Sequence, residues 1–228
     1  MTKPFAMEDF AREMQTLASA GLGGAASAAV VAEAMAEVVA AAEGALAFNA
    51  SPQLRERIAC ARGCGTCCVV NVAVLYPEAV AIAEYLRRTR SAAELETLTE
   101  RLEELYRHVV WLDDDERVML RRPCVFLDGE GSCSVYPVRP LLCRSMTSTS
   151  SEGCRQAIAL QAFGENTPIL VNLFQKDLMD EAFKATGRAL SALGLDGRGV
   201  KLTVAMRQLL SEAGAAEAYL AGGAVPTG

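Results

Sequence analysis

The chain has 228 residues, of which 51% are hydrophobic and 22% charged, and its 22 basic and 28 acidic side chains give a formal net charge of −6. This composition is typical of one soluble globular domain with an appendage. The negative charge argues against nucleic-acid binding, because non-specific binding needs dense Lys and Arg contacts to phosphates. Aromatic residues make up 6% and His108 is the only histidine, which disfavours a His-rich zinc enzyme site and a large aromatic ligand pocket. The unusual feature is the presence of eight cysteines.

The first part of the chain indicates neither a secretion signal nor a membrane span. Charged residues are spread through residues 1–14, where a signal peptide would have a basic start followed by an apolar stretch. The longest apolar stretch, residues 25–48, is interrupted by Glu33, Glu37 and Glu43, which fall on one arc of a helix. We therefore expect a cytoplasmic protein that does not cross a membrane, with thiols that stay reduced unless a metal binds them.

Apolar residues recur at helical spacing along most of the chain, which predicts a mainly α-helical fold. Gly21–Gly24 separates a short first helix from the alanine-rich helix that follows, and the sequence around Pro52 marks the next break. The GxGG string at Gly21 follows a helical segment instead of a strand. We interpret it as a turn between helices and not as a dinucleotide-binding loop.

Two more helices are predicted in the middle of the chain. Pro77 starts a helix that runs to about Arg90, and Ser91 with Glu94 forms a capping box that opens the next helix. That second helix carries an apolar stripe that we expect to face the core, at Leu95, Leu98, Leu102, Leu105, Val109 and Leu112. The acidic run at 113–116 is interpreted as a solvated helix end and not as an ion site.

Three helices are predicted in the last third of the chain. Thr167 and Pro168 start a helix that ends near Gly194, and residues 200–211 and 215–220 form two more. We divide the whole chain into four parts on this basis. These are an N-terminal helical extension (1–57), a cysteine-cluster metal-binding core (58–160), C-terminal helices packed on that core (161–222) and a flexible tail (223–228).

β-structure is predicted at one place, a short hairpin within the cysteine-rich region. Leu127 is expected opposite Ser132, and Phe126 opposite Cys133. This pairing puts Cys124 and Cys133 on the same face of the hairpin, where both sulfurs could reach one ion. The predicted fold is therefore a helical domain with a small metal-binding core made of a cysteine-rich loop and a β-hairpin.

The eight cysteines fall into two groups, which point to a metal site. The first group, in the pattern CxxxCxxCC, consists of Cys60, Cys64, Cys67 and Cys68. The second consists of Cys124, Cys133, Cys143 and Cys154. All eight are candidate metal ligands, because closely spaced thiols with intervening glycines are typical of metal loops. A redox-active thiol pair at Cys64 and Cys67 is disfavoured because no thioredoxin-like unit accompanies it, and His108 is expected at the surface, which disfavours Cys–His catalysis.

The sequence leaves the number of metal sites open. Eight thiols can build two four-thiolate sites, or one such site with four cysteines left over, and Cys154 is as well explained as a core residue. The adjacent Cys67 and Cys68 point in different directions in most backbone conformations, so they can serve different centres. A four-thiolate centre carries a formal charge of −2 with Zn²⁺ or with a [4Fe–4S]²⁺ cluster and needs nearby cations. The candidate cations are Arg62, Arg121, Arg122, Arg139, Arg144 and Arg155.

Five motifs in order resemble one known family. They are CxxxCxxCC at 60–68, YPE at 76–78, PCVFL at 123–127, CSVY at 133–136 and RPLLCR at 139–144. Together they resemble the YkgJ-like cysteine-cluster family, a zinc- or iron-chelating domain, over about residues 58–156. The resemblance implies cysteine-bound zinc or iron, with an iron–sulfur cluster as the favoured form.

Two functional hypotheses follow. The first is a cytosolic metalloprotein that binds iron, as a [4Fe–4S] centre, in a redox, sensing or redox-enzyme role. The second is a zinc-binding module without catalysis, whose four-thiolate sites staple loops together while a helical surface binds a protein partner. The sequence shows no general base, phosphate loop or nucleophile elbow, and an enzymatic activity is left open.

Overall fold

The computed structural model describes residues 5–161, 163–165 and 167–227, and it confirms the mainly α-helical prediction. In this part of the chain the helices are α1 (Met7–Leu22), α2 (Ala28–Asn49), α3 (Pro52–Glu56), α4 (Tyr76–Thr89), α5 (Ala92–Val109), α6 (Asp114–Leu120), α7 (Leu141–Ser145), α8 (Ser151–Gln161), α9 (Leu173–Ala192), α10 (Leu202–Ser211) and α11 (Ala215–Leu220). No helix among the described residues is both long and apolar enough to cross a membrane.

The core lies between α1, α2, α4, α9 and α10. Helix α1 packs on α9 and α2, α2 packs on α4, and α10 packs on α4 and α5. Helix α1 buries one side chain in each turn, at Phe10, Met14, Ala18 and Leu22, which is the spacing of a single helix face. A Cβ at Gly21 would lie 2.8 Å from the Cβ of Ala34. The glycine string therefore lets α1 and α2 approach closely.

A two-stranded antiparallel sheet fixes the start of α4 and of α10. Strand β1 (Ala73–Val74) pairs with β2 (Val200–Lys201), with Val74 opposite Val200. The sequence did not predict this sheet, and the prediction of a helix from residue 200 was wrong for its first two residues. The strand ends where Leu202 donates its backbone N–H to the carbonyl of Val72 (2.8 Å) and α10 begins.

Several local predictions about helix ends are confirmed. Ser91 accepts a hydrogen bond from the Glu94 amide, and the Glu94 carboxylate accepts from the Ser91 amide, as a capping box requires. Helix α5 turns its leucine stripe to the core, where Leu102 is fully buried. Pro77 was predicted to be the first residue of its helix, but α4 begins at Tyr76 and Pro77 is its second residue.

Two predicted helix boundaries are corrected. The acidic run at 113–116 starts α6 instead of ending a helix, because the Asp113 side chain caps the Glu116 amide (2.9 Å). Helix α9 does not begin at Thr167 but at Leu173. The Asn172 side chain caps it, and the extended chain before it is held by a hydrogen bond from the Asn172 amide to the Thr147 hydroxyl. These contacts favour a helix start at Leu173 over the start signal at Thr167 and Pro168.

Candidate metal centre

The first cysteine group lies on a loop of consecutive tight turns between α3 and β1. The Cys64 amide donates to the carbonyl of Ala61, and the Cys68 amide donates to that of Gly65, both at 3.0 Å. In the first of these turns, Gly63 has a φ of +86°, in the left-handed region that glycine adopts without strain. The turns place four thiols within nine residues of chain, as the CxxxCxxCC pattern requires.

The hairpin that carries Cys124 and Cys133 exists, but its pairing differs from the predicted one. Leu127 pairs with Cys133 instead of Ser132, in a single antiparallel bridge. The prediction that Phe126 lies opposite Cys133, which put Cys124 and Cys133 on one face of the hairpin, was therefore wrong: the carbonyl of Phe126 accepts from the amide of Ser134. The cause is the turn. The Asp128 side chain accepts hydrogen bonds from the amides of Glu130 (2.9 Å) and Ser132 (2.8 Å), and this arrangement lengthens the loop by one residue.

Two glycine contacts hold the first loop against the hairpin. A Cβ at Gly131 would lie 2.6 Å from the carbonyl oxygen of Gly63, and a Cβ at Gly65 would lie 2.7 Å from a methyl carbon of Leu127. Backbone therefore touches backbone where the two cysteine groups meet. Larger residues at these positions would separate them.

A hydrogen bond then joins the two cysteine groups directly. The Cys124 amide donates to the carbonyl oxygen of Cys68 at 2.6 Å. The structure thus brings together cysteines from both groups, as the metal-site hypothesis requires. The predicted ligand set itself stays a prediction.

Cys143 is positioned by helix α7, whose first residue is held by a buried carboxylate. Glu78 accepts hydrogen bonds from the amides of Leu75 and Leu141, both at 2.8 Å. Burial raises the pKa of Glu78 to about 7, although both amides and the Arg144 guanidinium oppose the rise. The Arg139 guanidinium donates to the carbonyl of Cys143 and holds the other end of the same short helix.

Cys60 and Cys154 meet at the segment that follows α7. The Ser148 amide donates to the sulfur of Cys60 at 3.2 Å, and the Ala59 amide donates to the Ser148 carbonyl at 2.8 Å. Two residues later, Ser150 caps α8, since its hydroxyl accepts from the Gly153 amide. Cys154 lies in the first turn of that helix.

Apart from a hydrogen bond between Cys67 and Cys68, the charge interactions of the eight free thiols group them into two sets of four. In the first set, burial raises the pKa of Cys60, a hydrogen bond from Ser148 lowers it, and three neighbouring thiolates raise it further. Those neighbours are Cys64, Cys67 and Cys154. We call Cys60, Cys64, Cys67 and Cys154 the loop set.

The second set consists of Cys68, Cys124, Cys133 and Cys143, and we call it the hairpin set. Burial raises the pKa of Cys124 to about 11 and that of Cys143 to about 12. The charge of Cys133 contributes to the raised pKa of both thiols, and the charge of Cys124 contributes to that of Cys143. Cys68 also interacts with Cys124 and Cys143. Deprotonation of Cys124 and Cys143 is therefore unfavourable without a metal.

The two sets touch at the adjacent Cys67 and Cys68. The Cys67 thiolate accepts a hydrogen bond from the Cys68 thiol, which lowers the pKa of Cys67 to about 6 and raises that of Cys68. Arg139 lowers the pKa of Cys67 as well. Cys67 is consequently a thiolate at neutral pH, while Cys68 keeps its proton.

The cations that face the thiols are mostly not those predicted from the sequence. Arg139 interacts with Cys67 and Cys143, as expected. Cys124, however, interacts with Arg101 and Arg117, which lie on helices α5 and α6 and were not predicted. An arginine on a helix usually faces solvent, so nothing in the sequence indicated that Arg101 and Arg117 interact with a thiol.

Most of the predicted arginines have other partners. Arg144 is buried, pairs with Glu43 of α2 and donates to the carbonyl of Pro137 (3.1 Å), so that it fixes the loop before α7. The others are exposed or bind elsewhere, as in the pairs Arg122–Glu104 and Arg155–Glu152. His108 is exposed and hydrogen-bonds to a carbonyl of its own helix, as expected of a surface residue.

The thiols fit a metal centre in kind and number but are not drawn into a closed coordination sphere. Among residues 5–161, 163–165 and 167–227, no three His, Cys, Asp or Glu side chains are close enough to hold one ion. The ligand atoms are all sulfur, which soft metals and iron–sulfur clusters prefer. Metal binding in either set therefore requires the thiols to come closer together.

Comparison with known proteins gives one match. Residues 59–166 match a family model, CxxCxxCC, described as "Putative zinc- or iron-chelating domain". The matched segment contains all eight cysteines. No curated protein and no solved structure matches the chain. The match agrees with the resemblance seen in the sequence and supports a metal-binding role without distinguishing zinc from iron.

Proposed function

We propose that this chain, whose residues 59–166 match the CxxCxxCC model of zinc- or iron-chelating domains, binds iron–sulfur centres in a redox or sensing role. The observation that carries the proposal is the division of eight thiols into a loop set and a hairpin set of four each. Four cysteine sulfurs are what a [4Fe–4S] cluster requires.

The surroundings of the thiols support a negatively charged centre. A cluster or a zinc ion with four thiolates carries a formal charge of about −2 and needs compensating positive groups. Arg101, Arg117 and Arg139 all interact with the thiols, although the chain as a whole has a net charge of −6. These arginines favour the anionic form of the thiols, although burial outweighs their effect at Cys124 and Cys143 while no metal is bound.

The position of Cys67 and Cys68 supports two separate centres. Cys67 interacts with Cys60 of the loop set, whereas Cys68, besides its hydrogen bond to Cys67, interacts with Cys124 and Cys143 of the hairpin set. A single four-thiolate site would leave four of the cysteines without a metal. Two sites give every thiol a partner.

The exposure of Cys60 in the loop set supports a role in electron exchange. Cys60 is exposed, so a centre in the loop set can exchange electrons with a partner or react with an oxidant. The hairpin set is better shielded, because burial is the main cause of the raised pKa of Cys124 and Cys143. Such thiols require a reducing compartment, and we propose the cytoplasm.

Anaerobic purification tests the iron assignment. The protein is expected to be brown, to contain iron and acid-labile sulfide, and to show a broad visible absorption that bleaches when dithionite reduces the cluster. A colourless protein with stoichiometric zinc would contradict the iron assignment. Apoprotein prepared with a chelator serves as the blank.

A zinc-binding structural module is the second candidate, and one observation favours it. The hairpin set lies where α4, α6 and α7 come together, since Glu78 of α4 binds the first residue of α7 and Arg117 of α6 interacts with Cys124. Zinc at this point would staple the loops between these helices. If zinc is the native metal, its removal is expected to unfold the cysteine region, and unchanged melting after complete removal would contradict the module.

A further inference from the structure

Arg117 is a buried cation with an unused hydrogen-bond donor. It lies in the middle of α6, and only 2% of its surface is exposed. Its Nη1 atom is fully buried and finds no hydrogen-bond partner among the residues that the structure describes. Other arginines near the cysteines have partners: Arg121 donates to the carbonyl of Ala159, and Arg122 pairs with Glu104.

Burial of an unpaired guanidinium is unfavourable, so a compensating group is expected nearby. Burial lowers the pKa of Arg117, and the Cys124 thiolate is what opposes this effect. Cys124 belongs to the hairpin set, and its charge interaction with Arg117 is mutual. The group that compensates the buried guanidinium is therefore expected among the sulfur atoms of the hairpin set.

We propose that Arg117 is the built-in counter-charge of the hairpin set, and that its free Nη1 donor serves the sulfur ligands of the centre held by Cys68, Cys124, Cys133 and Cys143. This inference rests on the proposed function, because it assumes that the hairpin set binds a metal. Arg117 is a positioning residue that acts on the charge of the thiolates. The loop set has no buried arginine of this kind among the described residues that interact with it.

This role predicts effects of opposite sign with and without metal. In the metal-free protein, Arg117→Met removes a buried unpaired charge and keeps the apolar volume, which is expected to raise the melting temperature. In the metal-bound protein the same change removes the counter-charge and weakens metal binding. An arginine with a purely structural role would lower the melting temperature in both states and leave the metal affinity unchanged.

The experiment uses the full chain with Cys60→Ser, Cys64→Ser, Cys67→Ser and Cys154→Ser, which leaves the thiols of the hairpin set alone. Zn²⁺ serves as the probe, since any four-thiolate site binds it, and its affinity is measured by competition with a chromophoric chelator under reducing conditions. Arg117→Met is expected to lower the affinity about 10- to 100-fold, the usual effect of losing a partner of the metal ligands. Arg117→Lys, which keeps the charge, should recover most of the loss, and the exposed control Arg122→Met should change nothing.

The outcomes separate this inference from the proposed function. If the parent with the hairpin set alone binds no Zn²⁺, the proposed hairpin site is wrong, and this inference is lost with it. If the parent binds Zn²⁺ and Arg117→Met binds it equally well, only the role of Arg117 is overturned. A lowered melting temperature of metal-free Arg117→Met would also overturn it.

Discussion

The amide of Cys124 donates a hydrogen bond of 2.6 Å to the carbonyl oxygen of Cys68, and this bond connects the two distant cysteine groups of the chain. Because both residues belong to the hairpin set, the bond fixes two of its four thiols relative to each other. Cys67, which is next in the chain, belongs to the loop set. The backbone at Cys67 and Cys68 is therefore the boundary between the two proposed centres.

Gly131→Ala is expected to destabilise this arrangement. The new Cβ would lie 2.6 Å from the Gly63 carbonyl oxygen, and Gly131 has a φ of +75°, which an L side chain rarely adopts. We expect a loss of about 2 kcal/mol or more in the free energy of unfolding, together with lower metal content. Urea unfolding of the metal-free protein and elemental analysis measure the two effects.

Gly129→Ala is the matched control for Gly131→Ala. It lies in the same turn, but a Cβ there would meet no atom within 4 Å. The expected change in the free energy of unfolding is within about 0.5 kcal/mol. Equal effects of the two substitutions would show that the close contact with Gly63 does not matter.

Cys67 is expected to be the most reactive thiol of the metal-free protein at neutral pH. Its pKa is lowered to about 6, chiefly by the hydrogen bond from the Cys68 thiol. Cys68→Ala removes that donor and should slow alkylation of Cys67 by roughly tenfold at pH 7, because the thiolate is the nucleophile. Peptide mapping after brief treatment with iodoacetamide measures the rate at each cysteine.

Cys68→Ser is the control for the Cys67 prediction, since its hydroxyl can donate the same hydrogen bond. The reactivity of Cys67 should then stay close to that of the parent protein. An equal loss of reactivity in Cys68→Ser and Cys68→Ala would mean that the hydrogen bond is not the cause of the lowered pKa.

The buried carboxyl of Glu78 makes stability depend on pH. Its folded-state pKa, about 7, lies above the ordinary value of 4.5, so the folded state binds the proton more tightly than the unfolded state. This contribution to stability is fully present below pH 4.5 and is lost as the pH rises to about 7. The shift corresponds to a difference on the order of 3 kcal/mol.

Glu78→Gln should remove this dependence between pH 4.5 and 7. Glutamine also leaves one of the two amides, Leu75 or Leu141, without an acceptor, which costs about 1–3 kcal/mol below pH 5. Urea unfolding of the metal-free, reduced protein across this range gives the two slopes. Parallel curves for the parent and Glu78→Gln would show that Glu78 does not titrate there.

Local features of the fold could be predicted from the sequence because their causes lie within a few residues. The capping box at Ser91 and Glu94 and the leucine stripe of α5 follow from helix geometry alone. The predicted start of α9 was wrong. Thr167 and Pro168 form a valid helix start signal, but Asn172 is held by Thr147, which is remote in sequence, and the helix begins after it. The strand pair of Val74 and Val200 was missed for the same reason.

The candidate site could be predicted as a group of residues but not as an arrangement. The spacing of the cysteines identified all eight as candidate ligands, but the hairpin pairing from which Cys124 was placed beside Cys133 was wrong. The spacing could not divide the cysteines into sets, because the division depends on Cys60 meeting Ser148 and on Cys68 meeting Cys124. Nothing in the sequence around Arg117 indicates that it is buried, because its burial depends on the packing of α6 in the folded chain.

The metal content of single cysteine variants tests the account most directly. Native mass spectrometry of the anaerobically purified protein is expected to show two centres in the parent, with one lost in Cys154→Ser and the other lost in Cys133→Ser. The double variant should retain none. Loss of the same centre in Cys154→Ser and Cys133→Ser would contradict the proposal of two separate centres. Metal content equal to that of the parent in all variants would contradict metal binding by these cysteines.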